Sequence, residues 1–129
     1  MIASRSLILL AVLGLGCSGK VSPEPYRFSG VGQEPGWSLE IDSIIRFSYD
    51  YAQRTVSVPT PEPTSDATGV RVWKAKNDTT DLQVVVAETA CEDAMSGKPY
   101  PSTVTVTLNG QVYRGCGGVT GTPTPPPRP

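Results

Sequence analysis

Residues 103–113 read TVTVTLNGQVY, and this stretch decides the fold class. Thr103 to Leu108 is β-branched on both faces, which suits a pleated strand and costs an isolated helix side-chain freedom. Asn109-Gly110 then supplies two residues that tolerate positive φ, as a type I′ turn demands, and Gln111-Val112-Tyr113 returns as the partner strand. Working outward, the same period of two recurs along the chain. Trp37, Leu39 and Ile41 alternate with Ser38, Glu40 and Asp42. Phe47, Tyr49 and Tyr51 repeat the pattern, followed by Val56 and Val58. Val70 and Val72 share one face while Arg71, Trp73 and Ala75 share the other. Leu82, Val84 and Val86 form an apolar row with Val85 opposite, which reads as a central strand.

Turn signals separate these runs: Glu34-Pro35-Gly36, the prolines at 59, 61 and 63, Lys76-Asn77-Asp78, and Ser96-Gly97-Lys98-Pro99. Short strands at this spacing predict an all-β domain, a small antiparallel sandwich or barrel of about seven or eight strands. No window sustains a helical period. Residues 92–96 are expected to form a single helical turn with Asp93 as its cap.

The chain begins MIASRSLILLAVLGLG, with one cation at Arg5 and an apolar run from Leu7 to Leu15. That run is too short to span a bilayer and fits the apolar core of a secretory signal peptide over residues 1–16. Gly16 before Cys17 resembles the lipobox of bacterial lipoproteins, in which the cysteine is lipidated and becomes the new N-terminus. The pattern places leucine three residues before the cysteine, where this chain has Gly14. An ordinary cleaved signal with an incidental cysteine is the competing reading. Residues 17–25, interrupted by Pro23 and Pro25, form a tether, residues 26–118 the β domain, and residues 119–129 a proline-rich, disordered or polyproline tail.

Three cysteines leave one unpaired in an oxidising compartment, and lipidation of Cys17 removes that oddity. Cys91 and Cys116 are then the only pair, expected to form one disulfide. Redox-active or metal-binding thiolates are the alternative, but Cys-x-x-Cys spacing and histidine are both missing.

Eleven Lys and Arg against twelve Asp and Glu give a formal charge of -1, which offers no general attraction to nucleic acid. The absence of histidine removes the commonest general base and the commonest metal ligand. No glycine-rich phosphate loop follows a strand, and Glu92 and Asp93, as chain neighbours, point to opposite faces of an extended segment. The expectation is therefore a chain that is not an enzyme, with no cofactor and no metal. A hydrolase with carboxylates on separate strands is the remaining enzymatic reading.

Phe28-Ser29-Gly30, Glu34-Pro35-Gly36-Trp37, Cys91-x-Asp93-x-Met95-Ser96 with Tyr100-Pro101, and Gly115-Cys116 occur in this order. Together they resemble an uncharacterised family of small bacterial envelope lipoproteins, sometimes found beside domains of the META or C-type lysozyme-inhibitor type. Ala94 and Gly97 depart from that pattern, which carries glycine and an acid there. The resemblance brings no established activity. It implies a lipid-anchored protein of the cell envelope, and Ser18 after the cysteine points to the outer membrane, facing the periplasm. The motifs also have ordinary structural readings. Glu34-Pro35-Gly36-Trp37 is a turn that delivers an aromatic to the core, with proline presetting φ and glycine allowing the next position. Two functions are expected: a non-catalytic binding or structural module for an envelope protein or glycan, or an inhibitor of a muramidase. The candidate binding loops are those of Glu34 and Trp37 and of Asp93, Lys98 and Tyr100.

Overall fold

The computed structural model describes residues 26–120, with Gly14 and Gly16 besides. The segment expected to be a signal peptide, Cys17, the expected tether and the expected tail beyond Thr120 otherwise lie outside the described residues, whereas Val119 and Thr120, expected to begin the tail, are described. The strands, in chain order, are β1 Phe28–Gly32, β2 Trp37–Ile41, β3 Ile44–Tyr49, β4 Arg54–Pro59, β5 Thr64–Ser65, β6 Arg71–Lys76, β7 Asp81–Ala87, β8 Cys91–Glu92, β9 Pro99–Tyr100, β10 Ser102–Leu108 and β11 Gln111–Val119. Eight of them have five or more residues, and the other three are two-residue strands. Nine strands form one antiparallel sheet in the order β4-β3-β2-β1-β11-β10-β7-β6-β5, curled into a half-barrel. The remaining two, β8 and β9, pair only with each other.

The sheet consists of two meanders joined edge to edge. Strands β1 to β4 pair successively, β6, β7, β10 and β11 do the same, and the β1–β11 ladder unites them. Alternation places one face of every long strand on the inside of the curl, where Leu39, Ile45, Phe47, Trp73, Val84, Val104 and Val106 are buried. The row expected to be central, Leu82, Val84 and Val86, is an interior strand, but β11 occupies the middle of the sheet.

The seam between the meanders is built from glycine. Gly30 faces Gly117 and Gly32 faces Gly115 across β1 and β11, all four on the inner face. A Cβ on Gly117 would lie 2.5 Å from the Ser29 carbonyl oxygen and 2.6 Å from Phe28 Cζ. One on Gly115 would overlap the Val31 carbonyl, and one on Gly32 would overlap the Trp37 indole. The backbones therefore approach more closely than any side chain allows, and Phe28 and Trp37 lie over the bare glycines and restore the apolar cover.

The Asn109-Gly110 hairpin has the expected geometry, with φ of 48° and 84°. Asn109 also ties this turn to its neighbour, because its Oδ1 accepts from the Asp81 N–H at 2.8 Å and its own N–H donates to the Asp81 carbonyl. Two turns differ from expectation. Residues 34–36 contain a cis Glu34–Pro35 bond, and the positive φ falls on Glu34 (56°), with Gly36 outside the left-handed region. The row Phe47, Tyr49, Tyr51 ends at Tyr49, because Asp50, Tyr51 and Ala52 all take φ between 53° and 65° and turn the chain into β4. Tyr51 is left 69% exposed, its N–H donating to the Gly36 carbonyl at 3.0 Å.

Candidate binding surfaces

The segment between β7 and β10 leaves the sheet, crosses its outer face and returns. The expected disulfide fixes it there, with Cys91 bonded to Cys116 of β11 across a Cα separation of 5.5 Å. Cys116 lies on the outer face but is 2% exposed, because this excursion covers it. Pro101 packs over Gly118 beside it. Within the excursion, β8 and β9 form a two-residue ladder closed by a turn at 93–98.

The helical turn expected over 92–96 is instead a single hydrogen-bonded turn that starts one residue later, since Glu92 belongs to β8. The Gly97 N–H donates to the Asp93 carbonyl at 2.8 Å, and Asp93 Oδ2 accepts from both the Ser96 N–H (2.9 Å) and the Ser96 hydroxyl (2.8 Å). The Ser96 N–H and hydroxyl bonds hold the Asp93 carboxyl below its ordinary range, and the Gln33 side chain adds to the effect. Gln33 belongs to the 33–36 turn and lines the same cleft as Asp93, so the two loops singled out in the sequence border one surface. Between this loop and the sheet lies a cleft of about 350 Å³, walled by Gln33, Glu92, Asp93, Thr103, Thr105 and Arg114.

The candidate residues divide on this surface. Glu34, Glu92 and Lys98 are exposed, and the Lys98 ammonium lies 5.4 Å from the centre of the Tyr100 ring. Tyr100 is half-buried beside Cys91. Asp93 is buried with its carboxylate committed to the turn, so its role is to shape the loop. Trp37 is 5% exposed and belongs to the core, with its Nε1 unpartnered among the described residues. It offers no surface to a partner, and the structural reading of the Glu34–Trp37 motif accounts for it.

No family model, curated protein or solved structure matches this chain. The resemblance to envelope lipoproteins rests on the motifs alone.

A second concavity, which the sequence reading did not single out, opens at the other end of the half-barrel. It measures about 430 Å³ and is lined by Tyr26, Ile41, Asp42, Ser43, Arg71 and Trp73, with the 60–63 segment across it. Segment 60–63 carries the chain from one edge of the sheet to the other and is pinned by the Thr60 hydroxyl donating to the Asp42 carbonyl at 2.7 Å. Arg71 faces inward from β6, and its guanidinium carbon stands 4.6 Å from the centre of the Tyr26 ring, which packs in turn on Trp73. Burial raises the Tyr26 hydroxyl's pKa above its ordinary value, and Arg71 offsets only part of that. The signal was legible: Arg71 shares a face with Trp73 and Ala75, which puts a charge on the core side of a strand. Among the described residues no group of three His, Cys, Asp or Glu side chains gathers as a metal cluster would.

Proposed function

We propose that this chain is a non-catalytic binding module of the bacterial cell envelope, anchored by lipid at Cys17, that meets its partner through the joined surface of the disulfide loop and the 33–36 turn. The observation that carries this reading is the disulfide that fixes the 91–100 loop beside the 33–36 turn. Cys91–Cys116 ties the disulfide loop to the middle strand of the sheet, and Gln33 of the other turn lies with Asp93 along the same cleft. A surface held this way loses little freedom on binding, so more of its contact energy appears as affinity. Recognition through loops on a rigid β frame is also the common arrangement in such domains.

The test has two parts. Metabolic labelling with a fatty-acid analogue should mark the wild-type chain and not Cys17→Ala, and equal labelling of both would remove the anchor. Cross-linking to envelope extract should yield a discrete partner that is lost when Glu92, Lys98 and Arg114, all exposed, are replaced together by alanine. The variant should unfold with the wild type, since none of these residues is part of the core. Unchanged capture by a folded variant would move the binding surface elsewhere. Suppression of lysozyme turnover at equimolar protein would assign the surface to a muramidase instead.

A further inference from the structure

The cleft at the Tyr26 end has a chemistry of its own. Arg71 is the only cation lining it, half-buried and aimed into the half-barrel, and no described carboxylate lies within salt-bridge distance of it. The guanidinium stacks on the Tyr26 ring, with the Tyr26 hydroxyl and Glu88 in the same neighbourhood, and its fork of N–H donors matches a planar carboxylate. The two acids of the cleft differ from each other. Asp42 is already committed, accepting from the Ile44 N–H at 2.9 Å and pairing with Arg46 at 3.5 Å, and these contacts hold its pKa below the ordinary range. Glu62 is exposed on the 60–63 segment and makes no described ion pair. Ile41, Pro61, Pro63 and Trp73 supply the apolar wall.

A simple anion would meet Arg71 but also the field of Glu62, and a simple cation the reverse. A ligand carrying both charges on an apolar body satisfies each group at once. We infer that the Tyr26–Arg71 cleft is a binding site for a zwitterionic amphipathic ligand, the class of short peptides with free ends: carboxylate on Arg71, ammonium on Glu62, side chains on Ile41, Pro61, Pro63 and Trp73. The volume suits a small ligand of a few residues at most. The site lies at the opposite end from the loop surface and does not depend on it.

The experiment is an NMR titration of the ¹⁵N-labelled chain with three probes: leucylleucine, its N-acetyl derivative and its C-terminal amide. Leucylleucine should give saturable shifts at the Arg71 Nε–H, the Trp73 indole N–H and the amides of Thr60 and Glu62. Loss of one charge-assisted contact should make each derivative about tenfold weaker. Arg71→Gln should make leucylleucine and its C-terminal amide bind equally, and Glu62→Gln should make leucylleucine and its N-acetyl derivative bind equally. Glu62 is exposed, so that variant keeps the test decisive even if Arg71→Gln fails to fold. No saturable shift at millimolar peptide, equal affinity for all three probes, or shifts mapping elsewhere would overturn the inference.

Discussion

Replacing Gly115 by alanine tests the glycine seam most directly. The added Cβ would overlap the Val31 carbonyl oxygen and stand 2.7 Å from Trp37 Cζ2 and 2.9 Å from Gly32 Cα. Two of those three neighbours are backbone of the paired strand, which cannot rotate away as a side-chain tip can. The cost therefore belongs at the upper end of overpacking, about 3 kcal/mol. Alanine also restricts the unfolded chain, which returns about 0.4–1 kcal/mol. The net loss is about 2–2.5 kcal/mol, a large share of the roughly 5–15 kcal/mol that holds a domain together. In a domain of this size it should lower Tm by about 8–20 °C. Gly30→Ala is the control, because its Cβ would meet the Cys116 carbonyl at 3.3 Å and Val104 Cγ2 at 3.4 Å, contacts that a shift of a few tenths of an ångström relieves. It should stay within about 0.5 kcal/mol of wild type, the two small terms cancelling. Urea unfolding followed by tryptophan fluorescence measures both, with the slope m unchanged if only stability has moved. If Gly115→Ala were as stable as Gly30→Ala, close backbone approach would not be what joins the two meanders.

Replacing Cys91 and Cys116 together by serine opens a loop spanning 25 positions and should cost about 3.5 kcal/mol on the chain-entropy account, read as a fall in urea midpoint; a loss under about 1 kcal/mol would show that the excursion is held by its packing alone. The carboxyls of Asp42, Asp66 and Asp93 all have folded-state pKa values below their ordinary range, each for accepting hydrogen bonds within its own turn. Such groups add stability that is present above their unfolded value, about 3.9, and is lost as pH falls through the folded value. Urea midpoints should therefore drop on acidification below about pH 4, and Asp93→Asn should flatten part of that drop; an unchanged acid profile in Asp93→Asn would remove Asp93 from the account.

What could be read from the sequence was whatever local chemistry decides. Asn109-Gly110 sets its own turn geometry, and Trp37, Leu39 and Ile41 or Leu82, Val84 and Val86 show their buried face by alternation alone. The strands that escaped notice are those whose inner face is glycine. Phe28-Ser29-Gly30-Val31-Gly32 and Gly115-Cys116-Gly117-Gly118 have no side-chain row to display, and they are strands because Phe28 and Trp37 cover them in the fold. Tyr51 misled for the opposite reason. It completes an aromatic alternation, yet the backbone turns through three non-glycine residues at positive φ, which no residue type announces. At the loop surface, the cysteines and the cap at Asp93 were legible, whereas the meeting of Gln33 with Asp93 depends on two segments distant in sequence. The cleft around Arg71 depends on four.

The union of the two meanders through β1 and β11 also bears on how the chain assembles during synthesis. Nearly every other ladder joins strands adjacent in sequence, so each meander is rich in local pairing and forms early. The β1 edge has to wait for β11, the last strand among the described residues. Throughout that interval the amino-terminal half presents an unpaired edge with glycine at two of its three inward positions, Gly30 and Gly32, and so little side-chain bulk there to discourage a stray strand. The feature that packs the finished molecule most tightly is thus the one that stays open longest while the chain folds.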